Sequence, residues 1–170
     1  LGYAEEDPTF DIEGIDAAHK LSILAAIAFG TEIQFDKIYT KGISEITTED
    51  ILHATELGYT IKHLGIAKRT EKGIELRVHP TLVPNNRLIA RVNGVMNAVM
   101  VKSDALGKSL YYGPGAGDEA TASAVIADLN DIINNQTSKN TLGWKSQQKI
   151  KVVDNDSIFS EFFLRLVVTD

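Results

Sequence analysis

The stretch from Leu64 to Val78 constrains the fold more than any other part of the sequence. Leu64 to Lys68 alternates large apolar with small residues, and Glu71-Lys72-Gly73 supplies a turn. Ile74, Leu76 and Val78 then line one face of the returning segment. A period of two around a glycine turn predicts an antiparallel hairpin with one apolar face that a second layer must cover. Helices upstream can supply that layer. From Ile15 onward, Ala18, Leu21, Leu24, Ala25 and Ala28 recur at spacings of three and four, and Gly30 marks the stop. A second helix is expected over Glu49 to Leu57. Thr47 or Thr48 can cap it, Glu49 and Asp50 suit its positive end, and Gly58 ends it.

Beyond Pro80 and Pro84 the pattern is again extended. Leu88 to Val101 reads as one long strand, with Leu88, Ala90, Val92, Met96, Ala98 and Met100 on one face and a bulge or kink at Gly94. A turn over Ser103 to Lys108 leads to a short strand, Ser109 to Tyr112. Gly113-Pro114-Gly115-Ala116-Gly117 then opens a helix over Asp118 to Asn134, with Thr121, Val125, Leu129 and Ile132 or Ile133 as its inner face. Asn135 to Gln148 is polar and loop-like. Lys149 to Val153 and Phe162 to Val168 are expected as two final strands. The expected class is α+β: a mixed, largely antiparallel sheet with helices on one face.

Composition narrows the function. The chain has 170 residues, 44% of them hydrophobic and 24% charged, enough for a real core. The longest apolar run, Ile23 to Gly30, is far shorter than the roughly 18–20 residues of a membrane helix. The N-terminus is acidic, unlike a secretory leader. These features fit a cytoplasmic protein without a membrane partner. A net charge of -6 argues against a nucleic-acid partner. With no cysteine, disulfides and thiolate metal sites are ruled out. The charge is uneven. Glu5, Glu6, Asp7, Asp11, Glu13 and Asp16 face a single Lys20, so the first twenty residues carry -5. Such acidity suits a substrate with an ammonium group, and equally a solvated loop.

Three groups of residues could carry chemistry. Asp16 and Lys20 are four apart, so they share a helix face in the favourable acid-first order. On an arbitrary helix such a pair is most often a surface ion pair contributing about 0.3–0.5 kcal/mol. Ile23 and Leu24 lie one turn on, which predicts that Lys20 sits at the edge of the core, a costly place for a lysine without a partner or a task. Gly113 to Gly117 has the look of a phosphate cradle but lacks the G-x-G-x-x-G spacing within a βαβ unit, so a tight turn is the better reading. His19, His53, His63 and His79 show no metal-ligand spacing, and no metal is assigned. His19 points to another face than Lys20.

Gly2-Tyr3, Glu5, Asp7-Pro8, Asp11, Gly14, Asp16 and Lys20 together resemble, in order and spacing, the substrate signature of the homoserine dehydrogenases: glycine-aromatic, acid, Asp-Pro, Asp, then Gly-x-Asp-x-x-x-Lys. The likeness continues through Ile23 to Gly30, His79-Pro80-Thr81-Leu82-Val83-Pro84, Val92 to Val99 and Gly113 to Leu129. Two loops depart from the family pattern, at Asn86-Arg87 and at Lys102-Ser103-Asp104.

The resemblance implies a reversible hydride transfer in threonine, methionine and isoleucine biosynthesis: L-aspartate 4-semialdehyde with NAD(P)H gives L-homoserine. It implies Lys20 as proton donor or acceptor and Asp16 as its orienting partner. It further implies Glu5, Asp11 and Tyr3 as substrate-binding residues and places Gly115, Ala116, Gly117 and Thr121 beside the nicotinamide. A protonated lysine can supply the proton an alkoxide needs, and the reverse direction needs neutral lysine and favours alkaline pH. By the resemblance, residues 1–150 form a catalytic and homodimerisation domain. Residues 151–170 form a linker and the first strand of a truncated ACT-like domain. A nucleotide-binding domain is expected upstream, so this segment alone should hold no NAD(P) tightly. The competing expectation is a non-catalytic oligomerisation or ligand-binding module.

Overall fold

The computed structural model describes residues 7–134, 148–166 and 168. The chain divides into two compact units, one of residues 6–84 with 141–170, the other of residues 1–5 with 85–140.

The first of these units is built on the expected hairpin. Strands β2 (Tyr59–Thr70) and β3 (Gly73–Pro84) pair antiparallel from Thr70↔Gly73 to Tyr59↔Pro84. The short β1 (Tyr39–Thr40) adds to β3 in parallel, so the sheet is mixed with order β1-β3-β2. The register sets Gly65 opposite Val78 and Ala67 opposite Leu76, which puts small residues beside large ones on one face. Helix α2 (Ile15–Phe29) lays Ala18, Leu21 and Ala25 on that face, against Ile74, Leu76 and Val78. The fit is close: a Cβ on Gly65 would stand 3.4 Å from Leu21 Cδ1.

The buried stripe of α2 is Ala18, Leu21, Ser22, Ala25 and Ala26. This corrects the expected one, because Leu24 is 44% exposed and Ala28 is exposed. Apolar residues on nearly every face made the stripe ambiguous, and the small residues won the sheet side because the sheet approaches closely there. Gly30 closes the helix in the left-handed conformation, φ +66°.

Helix α3 (Thr48–Glu56) is fixed at its start by a reciprocal cap: Thr47 accepts from the Asp50 amide, and Asp50 accepts from the Thr47 amide and hydroxyl. The Thr47 hydroxyl, then its amide, hold the Asp50 carboxyl below the usual carboxylate range. The stabilisation from a depressed carboxyl is present above its unfolded pKa and is lost as pH falls through the folded value. Thr47→Ala is expected to lower stability by about 1 kcal/mol at neutral pH. Urea unfolding at falling pH should show the difference from wild type shrinking as Asp50 protonates.

The expected strand Lys149 to Val153 is only partly realised. Lys151 O accepts from Ile74 N–H at 2.9 Å and Val153 N–H donates to Ile74 O at 2.8 Å, a single parallel bridge beside β3. The expected strand over Phe162 to Val168 is absent among its described residues, which lie unpaired with Phe162, Leu164, Leu166 and Val168 largely exposed. Arg165 there forms ion pairs with Glu49 and, at 3.0 Å, with Asp50. A strand with no neighbouring strand has nothing to bond to.

In the second unit the expected strand Leu88 to Val101 is broken. Leu88–Arg91 forms a 3₁₀ turn, Gly94 turns the chain at φ +63°, and β4 begins only at Met96, running to Ser103. Gly94 is therefore more than a bulge: its left-handed backbone ends one element and starts another. β4 pairs antiparallel with β5 (Gly107–Pro114) in a two-stranded hairpin. Helix α4 (Asp118–Asn134) follows where expected. Its expected inner face is not buried: Val125, Leu129, Ile132 and Ile133 are each at least half exposed. Ala90 is the one buried apolar residue of this unit among those described. No helix among the described residues is long and apolar enough to cross a membrane.

Candidate active site

Residues 7–14 fold into a tight corner. The Asp7 carboxylate accepts from the Thr9 hydroxyl at 2.6 Å and the Thr9 amide at 3.1 Å, and these bonds, the hydroxyl first, hold its pKa below the usual range. Asp7 thus ties the chain to the first residue of α1 (Thr9–Ile12), whose N-cap is Pro8. Gly14 then reverses the chain into α2 with φ +75°. No side chain fits at Gly14: a Cβ would stand 2.7 Å from His63 Cε1 and 2.9 Å from Val78 Cγ1. Gly14→Ala is expected to cost about 2 kcal/mol from the left-handed backbone and the overlap together. Thermal unfolding would measure it, and an unchanged Tm would contradict this packing.

Asp16 stands in the first turn of α2, where the positive helix end favours an acid. One turn later the Lys20 Nζ donates to Asp16 Oδ2 at 2.5 Å. The Lys20 side chain is 69% exposed and that of Asp16 40%. This corrects the expectation that Lys20 sits at the core edge: Ile23 and Leu24, which suggested it, are themselves exposed. An ammonium has three protons, and Asp16 takes one. The others are free to face a bound oxygen, so the pair is an accessible proton donor with its carboxylate partner in place.

The remaining candidates divide. Asp11 lies exposed on α1, on the same corner as Asp16 and Lys20. Tyr3 and Glu5 lie outside the described residues. His19, next to Lys20, stacks with Phe35 and Phe10 at centroid distances of 4.2 and 5.8 Å. His63 contacts the corner through Gly14, which reading the sequence did not reveal. The available signal was its register: position 63 shares a strand face with Gly65 and Ala67, the face that α2 covers.

Gly115, Ala116, Gly117 and Thr121 belong to the other unit. Gly115–Gly117 form the turn from β5 into α4, with Gly117 at φ +114°, and Thr121 lies in the first turn of that helix. The amide and hydroxyl of Thr121 both donate to Gly117 O at 3.0 Å. The side chain of Asn97 occupies the space a Cβ on Gly115 would need. Asp118 and Glu119 fill the first turn of α4 and oppose an anion at its positive end. The turn therefore fits close approach by an uncharged group better than it fits a phosphate.

The comparisons with known proteins agree with one another. The family model for homoserine dehydrogenase matches residues 1–130. Homoserine dehydrogenase of Pseudomonas aeruginosa is 69% identical over 138 residues, which is 81% of this chain and 32% of that protein. The crystal structure of a homoserine dehydrogenase from Thiobacillus denitrificans superposes with a TM-score of 0.87 at 57% identity, over 93% of this chain and 38% of that one. A hyperthermophilic archaeal homoserine dehydrogenase in complex with NADPH matches with a TM-score of 0.60 at 26% identity, over 78% of this chain and 36% of that one. The chain thus spans between 32% and 38% of the length of these three proteins. With the motif, the fold and the family model in agreement over most of its residues, the chain belongs to the homoserine dehydrogenase family.

Proposed function

We propose that this chain is the substrate-binding and proton-transfer part of an enzyme that interconverts L-homoserine and L-aspartate 4-semialdehyde. The observation that carries the reading is the Lys20–Asp16 contact of 2.5 Å on an exposed corner, within the family's substrate motif. NAD(P), when bound, supplies or accepts the hydride. Lys20 Nζ delivers a proton to the carbonyl oxygen as the aldehyde becomes an alcohol, and withdraws it in the reverse direction. Asp16 Oδ2 holds the ammonium in place, so a proton is aimed before the reaction starts. Glu5, with Asp11 and Tyr3, binds the substrate, its carboxylate meeting the substrate's own ammonium group. Gly115, Ala116, Gly117 and Thr121, none with a charged side chain, are the residues for the nicotinamide end. The archaeal complex with NADPH supports the cofactor class. The test is turnover of L-aspartate 4-semialdehyde, followed as NAD(P)H oxidation, by the full-length gene product. No turnover with either dinucleotide would overturn the reading.

Two further expectations belong to this reading. The acidic start of α4 opposes phosphate, so the 170-residue segment alone is expected to bind no dinucleotide at micromolar concentration. Titration calorimetry checks this, and tight binding would contradict it. The chain is also expected to form a homodimer. Val99, Met100, Val101, Tyr111 and Tyr112 leave the β4–β5 hairpin with an apolar surface, and a two-stranded hairpin needs a covering layer for stability. Light scattering at micromolar concentration should give twice the chain mass, and a clean monomer would contradict it.

A further inference from the structure

We propose that His63 is a positioning residue for the Asp16–Lys20 pair, acting through Gly14; the assignment rests on the catalytic reading of that pair. His63 stands on β2, half-buried, on the sheet face that α2 covers. Its Cε1 lies where a Cβ on Gly14 would come to 2.7 Å, so the ring edge is the surface on which the α1–α2 corner rests. Its Nε2 lies 2.9 Å from the carbonyl oxygen of Lys41. A carbonyl can only accept, so Nε2 carries the proton and donates. The same histidine thus touches the corner with one atom and ties down a second segment with the next.

That second segment, Lys41–Ile43, is the other wall of the corner. Ile43 N–H donates to Ile12 O at 2.9 Å, and Lys41 N–H donates to Val78 O at 2.8 Å. Gly42 lies beneath Glu13: a Cβ there would overlap the Glu13 carboxyl and stand 2.8 Å from Ile12 O. Residues 12–14 are therefore held between the loop and the sheet. Most of these ties are backbone bonds that any sequence could make. The His63 bond is made by a side chain outside both the corner and the loop.

The consequence is geometric. Gly14 is the pivot from which α2 departs, and Asp16 and Lys20 stand within two turns of it. A shift of the pivot moves Nζ relative to a substrate held by other residues of the acidic segment. Misplacement of a reacting group by about 1 Å can cost up to 10²-fold in rate. A residue that only filled space here could be leucine. Leucine at 63 would fill the volume but leave the Lys41 carbonyl without this donor.

The experiment compares His63→Leu with His63→Gln in the full-length gene product, the glutamine keeping an amide donor at comparable reach. His63→Leu is expected to lower kcat about tenfold and leave KM for the dinucleotide unchanged, whereas His63→Gln should stay within about threefold of wild type. Amide exchange should rise in His63→Leu at residues 14–17 and 41–43 but not at 21–29. A His63→Leu enzyme with wild-type kcat would overturn the proposal. So would a His63→Gln enzyme as slow as His63→Leu, or a uniform rise in exchange across the sheet and α2, which marks plain destabilisation. If the wild-type protein shows no turnover, the catalytic reading fails on its own. Exchange at 14–17 and 41–43 then decides alone whether His63 holds the corner, and no local change overturns that.

Discussion

Lys20→Ala in the full-length gene product is expected to lower kcat by roughly 10²- to 10⁴-fold while leaving KM for L-aspartate 4-semialdehyde nearly unchanged. The reason is the division of labour at the corner. On the proposed reading Lys20 gives a proton to an oxygen that is charged only in the transition state, so its removal costs rate rather than ground-state binding. The same proposal gives substrate binding to Glu5, Asp11 and Tyr3. Folding should not suffer much, because the Lys20 side chain is 69% exposed and its ion pair lies outside the core.

Asp16→Ala should follow Lys20→Ala in kcat, because a lysine without its partner is no longer held at 2.5 Å in one orientation. The double mutant should be far from additive, since the two residues act as one unit. The alternative, a non-catalytic module in which the pair is only a surface ion pair, predicts something different. Each substitution would then change stability by less than about 1 kcal/mol and leave kcat alone. A Lys20→Ala enzyme with near-normal kcat would refute the catalytic assignment.

The parts of the fold legible in the sequence are those decided by local chemistry. Thr47, Asp50 and Gly58 bound α3, and Gly14 and Gly30 bound α2, because caps and left-handed glycines act within a few residues. The β2–β3 hairpin was legible from its glycine turn and from the alternation of Ile74, Leu76 and Val78, whereas Leu64 and Ile66, opposite His79 and Arg77, lie on the other face of the sheet. The contact between Asp16 and Lys20 was legible because a spacing of four on a helix puts two residues on one face. What was not legible depends on distant partners. Ile23 and Leu24 suggested a Lys20 at the edge of the core, but the close approach of Gly65 and Ala67 turned the small residues of α2 inward instead. Leu88 to Val101 read as one strand since alternation cannot register that Gly94 adopts a positive φ. His63 gave no signal by spacing, because its partner is the Lys41 backbone, 22 residues away.

Ile74→Ala is expected to destabilise the chain by about 2–5 kcal/mol, a large part of the roughly 5–15 kcal/mol of a typical domain. Ile74 is fully buried, at 0% exposure. It packs with Ala25 of α2 and Leu76 of β3, and Phe29, Ile38, Ala67, Ile150 and Val152 close around them. Ala25 and Ala67 have no length with which to refill the space, so collapse into the cavity is limited on two sides. The backbone cannot settle freely either, because Ile74 N–H and O both bond the 151–153 segment. These constraints put the expected loss toward the upper part of the range. Leu24→Ala on the outer face of α2 is the control: at 44% exposure it removes atoms already in water and should cost well under half as much. Urea unfolding of wild type and both variants gives the comparison. A loss below about 1 kcal/mol for Ile74→Ala would mean that α2 and the sheet do not meet at this residue. In that case the support beneath the Asp16–Lys20 helix would have to come from Ala18, Leu21 and Val78 alone.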